Sequence, residues 1–312
     1  MSVRAATSVV KTESSRANAI TVDVEEWFHI CGPVAAVALE RWPSLPSRVV
    51  ETTRLLLEDL DRAAARATFF VVGWIADRHP ELIAEIVAAG HEIGSHSHLH
   101  QRVYELQPET FREDLRRSVT ALATAGAPGV RAFRAPEWSI NDRSLWALEV
   151  LASEGFATDA SMAPVKLVGS VTYPRRPHAR LTACGAILEM PPLVADRFGQ
   201  VVPLGWGWGL RMSSPRRVLS TLEASNRRGL PGVLTVHPWE IDPDPPRVSL
   251  PLRLWFAHYF RLDGFRARLQ TILRSGDFGA IGDLDAARSG LSAGRRPEQA
   301  AARTTAAVRF DT

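Results

Sequence analysis

The sequence predicts an α/β barrel, in which parallel strands line the centre and helices surround them. Short apolar runs alternate with amphipathic helical stretches along the chain, an order typical of parallel strands joined by helices. Seven or eight such units follow one another, which favours a barrel over an open sheet. Polar residues stand at or just after the carboxyl ends of predicted strands, where α/β barrels carry their active sites. These residues are Asp23, His96, Arg134, Asp159 and His237.

The predicted strands are short apolar runs of the kind that is buried on both faces. They cover residues 19–24, 67–73, 91–97, 130–136, 156–161, 186–191, 232–240 and 278–284. The predicted helices have apolar residues at helical spacing, or begin with Pro and end at Gly. They cover residues 49–65, 80–90, 108–126, 141–155, 214–229 and 262–276. Asn141 or Asp142 is expected to cap the fourth of these helices.

Composition and charge limit the function classes. The 312 residues are 46% hydrophobic and 23% charged, as in an ordinary globular protein, and the net charge of +3 is too small to indicate nucleic-acid binding. The sequence has no apolar run of about 18 residues that would span a membrane. The N-terminal segment lacks the apolar core of a signal peptide, so we expect a cytoplasmic protein.

One ordered domain is expected, over residues 18–286. Residues 1–17 are small and polar, and residues 287–312 are rich in Ala, Arg, Gly and Ser, so both are expected to be disordered tails. Cys31 and Cys184 form no CxxC motif, which argues against a zinc ribbon or a redox motif. A disulfide between the two cysteines stays open, although a reduced compartment is the simpler expectation.

The segment GSHSHLH, residues 94–100, places three histidines at alternating positions. On a strand all three would share one face, whereas in a coiled segment His96 and His100 converge one helical turn apart. In either arrangement, two imidazoles at i and i+4 can bind one metal ion. The alternative is a polar loop in which the histidines are incidental.

A carboxylate pair at the end of the first strand fits the same site. In TVDVEEW, Asp23 and Glu25 alternate and point to one side, while Glu26 faces away unless the chain has already turned. Two histidines and one carboxylate form a familiar catalytic zinc set with one position open for water. The second carboxylate can then take a proton as general base. Without the histidines, a helix-capping or salt-bridged acidic turn would be the better interpretation.

Two further charged residues end predicted strands. Arg134 lies in an apolar run, and a buried arginine needs a carboxylate partner, for which Asp23 is a candidate. A structural ion pair of Arg134 with Glu137 or Asp159 is the alternative. A lone strand-end histidine is more often structural, but at a rim that holds a metal His237 becomes a candidate general acid for a leaving amine. Asp159 could orient His237 or bind the substrate.

Aromatic residues accompany these positions. The stretch PLGWGWGLRM, residues 203–212, sets Trp206 and Trp208 among glycines. Indoles exposed in loops stack on sugar rings, and packing against the barrel rim is an alternative of equal weight. Pro136 and Trp138 lie next to the strand-end arginine and are also candidate substrate contacts.

Together these residues resemble the polysaccharide deacetylases of the NodB-homology type, carbohydrate esterase family 4. More narrowly, the sequence is similar to the branch associated with exopolysaccharide and exosortase gene clusters, through its VDVEEWF and HPWE motifs. The resemblance covers roughly residues 19–285. It implies a distorted (β/α)7 barrel, which agrees with the number of strand–helix units.

The resemblance implies a divalent metal, with zinc expected and cobalt, nickel or manganese as alternatives. The HSHLH motif implies His96 and His100 as ligands, with the middle histidine not a ligand. The usual first motif of the family has two adjacent aspartates, the second of which binds metal, and here a valine takes that place. Relatives with a D-x-D motif would make Glu25 the carboxylate ligand, and Glu26 is the alternative.

The resemblance also implies the catalytic roles. Asp23 corresponds to the general base, and Arg134 in the R-x-P motif to the residue that tethers this base. His237 corresponds to the general acid, and Asp159 maps loosely to the fourth motif. The usual R-P-P-Y-G motif is RAPEW here, so substrate contacts around Pro136 depart from the family pattern.

The implied reaction is hydrolysis of an acetamide on a glycan, which releases acetate and leaves an amino sugar. The expected partner is an N-acetylated glycan, either an exopolysaccharide or its lipid-linked precursor, with peripheral association with an exopolysaccharide assembly system. One alternative is an allantoinase-like amidohydrolase of the same fold, which missing metal would favour. Another is a non-catalytic glycan-binding barrel.

Overall fold

The computed structural model describes residues 16–31 and 37–284. Apart from residues 16 and 17, the two predicted tails lie outside the described residues. The strands are β1 (Asn18–Val24), β2 (Thr68–Val71), β3 (Glu92–Ser95), β4 (Ala132–Phe133), β5 (Thr158–Asp159), β6 (His178–Thr182), β7 (Gly185–Glu189), β8 (Val194–Arg197), β9 (Gln200–Pro203), β10 (Val233–Val236) and β11 (Phe278–Gly279).

The main sheet is built on seven strands paired in parallel, in the order β10–β1–β2–β3–β4–β5–β7. β6 pairs antiparallel with β7 at one end, and β11 pairs beside the start of β1. The predicted α/β barrel of the (β/α)7 type is therefore confirmed. Several strands end earlier than predicted, because the chain turns away as soon as the hydrogen bonds between neighbouring strands end.

The barrel is distorted where its two ends approach each other. β7 does not pair with β10; instead, the chain that follows β7 runs along the free edge of β10. Leu193 donates its N–H to the carbonyl of Val233 at 2.9 Å, and Thr235 donates to the carbonyl of Gly205 at 2.7 Å. Trp206 forms a parallel bridge with Thr235. Irregular chain thus closes the gap that an additional strand would fill.

Helices cover the outside of the sheet. They are α1 (Val49–Arg62), α2 (Gly73–Arg78), α3 (Pro80–Ala88), α4 (Pro108–Thr124), α5 (Trp146–Ser153), α6 (Gly207–Met212), α7 (Pro215–Asn226), α8 (Leu252–Tyr259) and α9 (Phe265–Ser275). Six of them match predicted helices, because their apolar faces are long enough to show a period, as in α1, where Leu56 and Leu60 are each 1% exposed. Within the described ranges, no helix is long and apolar enough to cross a membrane.

The expected cap of the fourth predicted helix is wrong. α5 begins at Trp146, and Leu145 holds the N-cap position without a side-chain hydrogen bond. The Asn141 side chain instead accepts the N–H of Arg143 at 3.1 Å, which makes a local turn. Asn competes for nearby backbone donors in turns as readily as at helix ends, so the sequence signal was ambiguous.

Candidate active site

The end of β1 separates the two glutamates. Asp23 and Glu25 are 3% and 7% exposed and lie on the inner side, while Val24 between them packs in the core. Glu26 turns away and accepts hydrogen bonds from the Ser47 hydroxyl and from the backbone N–H of Arg48 at 3.1 Å. Glu26 therefore stabilises the start of α1, and only Glu25 reaches the histidines.

The histidine segment leaves β3 and turns sharply. His96 follows β3 directly, and Ser97 and His100 have left-handed φ angles of 61° and 51°. The Nδ1 atom of His96 lies 2.7 Å from the carbonyl oxygen of Arg134, and a proton on Nδ1 leaves Nε2 free as a ligand atom. The Nδ1 atom of His100 lies 3.5 Å from the Cys31 sulfur, so its Nε2 also faces inward.

Glu25, His96 and His100 form a buried cluster that fits a divalent ion. One ligand atom from each side chain lies within 4.8 Å of the other two. The Glu25 Oε2 atom is 2.6 Å from His100 Nε2 and 3.8 Å from His96 Nε2. His100 Nε2 is buried and makes no hydrogen bond of normal geometry, as expected for an atom aimed at a shared point. Two imidazole nitrogens and a carboxylate are the donor set of many catalytic metal sites.

The middle histidine points elsewhere. His98 lies against Gly73 of α2, and its Nε2 atom is 3.8 Å from Asp77. Burial lowers the pKa of His98 to about 4, so this side chain is neutral near pH 7. Its position is that of a packing residue rather than a ligand.

Charge within the cluster favours an ionised carboxylate. Burial alone would raise the pKa of Glu25, but the neighbouring charges of His100 and His237 outweigh burial and hold this pKa well below its usual value. Trp239, which sequence reasoning did not assign, donates its indole N–H to Glu25 Oε1 at 2.9 Å. One oxygen of Glu25 is thus fixed by a hydrogen bond, and the other faces the two histidines.

Arg134 holds Asp23 from behind. The guanidinium is 1% exposed and donates from Nη1 to Asp23 Oδ1 at 3.1 Å and to the Thr235 hydroxyl at 2.7 Å. The rings of Phe70 and Trp138 flank it at 4.6 and 4.7 Å. The guanidinium therefore fixes one oxygen of Asp23 and sets the direction in which the carboxylate points.

The second oxygen of Asp23 faces the centre of the site. Oδ2 lies 4.0 Å from His96 Nε2 and 3.8 Å from His237 Nε2. These separations exceed a hydrogen bond and leave room for a reacting group between the carboxylate and the two imidazoles. Glu137, an alternative partner of Arg134, instead pairs with Arg102 at 2.6 Å.

His237 is oriented by Glu240, and not by Asp159 as the sequence interpretation allowed. The two residues are three positions apart, and the Nδ1 atom of His237 lies 2.9 Å from Glu240 Oε2. Glu240 in turn pairs with Arg211, and both side chains are completely buried. Burial would lower the pKa of His237, but the charges of Glu240 and Glu25 raise it to about 9.

Asp159 does not reach the cluster. It stands directly across from Glu189 in the parallel register of β5 and β7, and both side chains are completely buried. Asp159 accepts from the Ser161 hydroxyl, and Glu189 accepts the Met162 N–H at 3.0 Å. Burial and the charge of Asp159 raise the pKa of Glu189 well above its usual value, so this pair retains a proton.

The aromatic candidates divide into two groups. Trp138 and Trp206 pack together with ring centroids 5.0 Å apart, and Pro136 is buried beside Trp138. Trp138 has a left-handed φ of 58°, which sets its ring over Arg134. Trp208 is half-buried on α6 and is not part of the Trp138–Trp206 cluster.

Two family models match this chain. A model described as Polysaccharide deacetylase matches residues 40–155, which include His96, His100 and Arg134. Over these residues the chain is similar to the polysaccharide deacetylase family. A second model, a domain of unknown function (DUF3473), matches residues 160–286, which include His237. A single sheet runs through both matched regions of the chain, since β5 pairs with β4 and with β7.

One relative is similar over part of this chain, and two solved structures have a similar fold. A chitooligosaccharide deacetylase of Bradyrhizobium sp. (strain ANU 289) is 30% identical over 103 residues, which are 33% of this chain and 44% of that protein. The matched part thus spans less than half of that relative's length. A Mycobacterium smegmatis structure assigned to the polysaccharide deacetylases is 21% identical, with a TM-score of 0.52 over 91% of this chain and 92% of that chain. An allantoinase structure is 16% identical, with a TM-score of 0.56 over 87% and 89% of the two chains.

Several residues of the candidate site were not found by sequence reasoning. Glu240 could have been found, because a carboxylate three residues after a histidine can cap it within HPWE. Arg211 and Cys31 gave no such signal, since each comes from a distant segment that only the fold brings close. Both cysteines are free, with Cys31 buried and Cys184 exposed, so the disulfide left open above does not form.

Proposed function

We propose that this protein hydrolyses the N-acetyl group of an amino sugar in a glycan, with a divalent ion held by Glu25, His96 and His100. One observation carries the proposal: a tethered carboxylate, Asp23, and an oriented imidazole, His237, both border the Glu25–His96–His100 cluster and lie 3.8 Å from each other. A base and an acid beside a metal cluster are the groups that amide hydrolysis needs.

Asp23 is proposed as the general base. A bound divalent ion would lower the pKa of water and polarise the amide carbonyl. Arg134 holds one oxygen of Asp23 and leaves Oδ2 to accept the proton of the attacking water. Since the arginine is buried and its direction is fixed by several acceptors, Asp23 needs little reorganisation to take that proton.

His237 is proposed as the general acid. The raised pKa of about 9 keeps this imidazole protonated near pH 7, with Nδ1 bound to Glu240 and Nε2 facing Asp23. Nε2 can therefore give its proton to the nitrogen as the C–N bond breaks. The products are acetate and a free amino sugar.

The substrate is proposed to be an N-acetylated oligosaccharide or polysaccharide. The name of the Bradyrhizobium relative directs the choice to chitooligosaccharides, and Trp206, Trp208, Pro136 and Trp138 are proposed as sugar contacts. An exopolysaccharide or its lipid-linked precursor, processed in the cytoplasm, is the finer proposal. It rests on the VDVEEWF and HPWE motifs and on the resemblance that they carry.

Metal content of the purified protein tests the cluster first. Elemental analysis should find about one divalent ion, zinc by expectation, per chain. H96A, H100A and E25Q should each lose this ion while circular dichroism still reports a folded protein. E26Q is the matched control, since Glu26 lies at the helix start and should leave the ion in place. A protein that binds no ion under titration would contradict the proposal and favour a metal-free amidohydrolase or a binding barrel.

Acetate release from chitooligosaccharides tests the chemistry. D23N and H237Q should each lose activity by a factor of about 100 or more while keeping the ion, because each removes a proton-transfer step. Ion binding without acetate release from a panel of N-acetylated glycans would support a binding barrel. Equal activity of D23N and the wild type would show that another group acts as base.

A further inference from the structure

The outward residues of α8 form an apolar surface that the proposed reaction does not use. Leu252 is 81% exposed, Trp255 is 37% exposed and Phe256 is 36% exposed. Their spacing of three and four positions puts all three on one side of the helix. We call these three residues the α8 face. Large apolar side chains grouped in this way mark an interaction surface more often than single exposed ones do.

Positive charge predominates close to the α8 face. Residues 245–262 contain three arginines and no Asp or Glu, and exposed Asp244 and Asp263 stand just outside the two ends of this segment. Arg247, Arg253 and Arg261 are all exposed, and the guanidinium of Arg247 lies 5.5 Å from the ring centre of Tyr259 at the end of α8. The segment that carries the apolar face is therefore positively charged between these two aspartates.

The other side of α8 packs against the candidate active site. The ring centroids of His258 and Trp239 are 5.2 Å apart, and Trp239 donates to Glu25 at 2.9 Å. Trp239 also stacks on His237, with centroids 5.2 Å apart. A surface that docks on the α8 face would thus lie one aromatic layer away from the proposed acid and metal ligands.

We propose that the α8 face docks this protein on an anionic lipid surface. Exposed Leu, Trp and Phe side chains enter the boundary between headgroups and acyl chains, and flanking arginines are attracted by anionic headgroups. A soluble glycan would use the tryptophan but gains nothing from the exposed leucine. A second copy of the chain would bring its own arginines against these ones. The charge therefore favours the lipid surface over the other occupants.

Docking in this way holds the site rim beside the headgroup layer. It goes beyond the proposed deacetylation and does not depend on it, because no residue of the α8 face belongs to the metal cluster or to the acid and base. The contact is peripheral, since α8 has eight residues and lies along the surface.

Co-sedimentation of the full chain with vesicles tests the proposal. The vesicles contain phosphatidylcholine alone or with phosphatidylglycerol, and binding is measured at low and high salt. L252S/W255S/F256S removes the apolar face. L181S is the matched control, because Leu181 is 86% exposed on β6, at the opposite end of the main sheet from β10. R253Q/R261Q removes two of the bordering charges.

The wild type should bind vesicles that contain phosphatidylglycerol, more weakly as salt rises. The triple variant should bind at least about tenfold more weakly, and each lost arginine should cost about fivefold. L181S should bind like the wild type, and E25Q should keep vesicle binding while it loses the ion, which separates this proposal from the proposed function. Thermal melting checks that every variant is folded.

Three results would overturn the proposal: no vesicle binding by the wild type, equal binding by the triple variant, or an equal loss in L181S. A triple variant that instead loses affinity for chitooligosaccharides in the absence of vesicles would assign the α8 face to glycan binding. A triple variant that changes only the sedimentation coefficient at high protein concentration would assign it to self-association.

Discussion

Breaking the ion pair between Arg211 and Glu240 should destabilise the fold strongly. Both side chains are completely buried, and Glu240 also accepts the backbone N–H of His237 at 3.0 Å. In E240Q the guanidinium of Arg211 loses the one carboxylate that pairs with it among residues 16–31 and 37–284, and it stays buried. Removing one partner of a buried pair typically costs about 3–5 kcal/mol, since the remaining charge is uncompensated. For a domain of this size, each kcal/mol lowers the melting temperature by about 2–4 °C.

A double-mutant cycle measures the interaction energy between Arg211 and Glu240 apart from their other contacts. E240Q leaves the Arg211 guanidinium without its carboxylate, and R211M leaves Glu240 with His237 as its remaining charged neighbour, whereas R211M/E240Q removes both members of the pair. The double variant should therefore lose less stability than the sum of the single variants, by about 1–3 kcal/mol. Urea unfolding followed by circular dichroism measures the free energy of unfolding of the wild type, the two single variants and the double variant. R175Q is a matched control, because its pair with Asp196 is exposed on both sides and should contribute about 0–1 kcal/mol.

The acid side of the stability profile gives a second readout. Burial would raise the pKa of Glu240, but the charges of Arg211 and His237 lower it below the usual 4.5. Because the folded state favours the ionised carboxylate, its contribution is complete above pH 4.5 and is lost as the pH falls further. The free energy of unfolding of E240Q should therefore fall less than that of the wild type as the pH drops below 4.5. Additive single effects, or a loss in E240Q below about 1 kcal/mol, would refute the reasoning.

Three further outcomes are expected. C31A should weaken ion binding about tenfold in a chelator competition, because the thiol lies against His100, a proposed metal ligand; unchanged affinity would contradict this role of Cys31. G94A should cost about 1–3 kcal/mol in urea unfolding, since the added Cβ would lie 2.4 Å from the Phe70 ring, and a neutral result would mean that the ring moves freely. Hydrogen bonds from Arg48 lower the pKa of Asp242, although burial alone would raise it. In D242N the free energy of unfolding should therefore depend less on pH below 3.8 than in the wild type. The same pH dependence in both proteins would contradict this.

The sequence predicted those parts of the site that local geometry determines. Alternation on β1 places Asp23 and Glu25 on one side, and the i, i+4 spacing brings His96 and His100 together. The strand-end rule also located Arg134 and His237 at one rim. These features need only the backbone period and the common direction of parallel strands.

The sequence could not predict what tertiary packing decides. Asp159 ends a strand like the others, but its register opposite Glu189 gives it a buried neighbour before it can reach the centre. The antiparallel strand β6, the β8–β9 hairpin and the helices α2, α6 and α8 were not predicted. Each is short, or interrupted by glycine, and has too little apolar period to be recognised.

The candidate site is divided between two stretches of chain, and this division has a consequence for how the site can change in evolution. Every side chain proposed to hold the ion or accept a proton comes from the part before residue 155, whereas His237, Glu240 and Arg211 come from the part after residue 160. The second part also contributes α8 and Trp206. Changes in that second part would therefore alter the proposed general acid, the residues that orient it and one proposed sugar contact, while the proposed metal ligands and the proposed base stay in the first part.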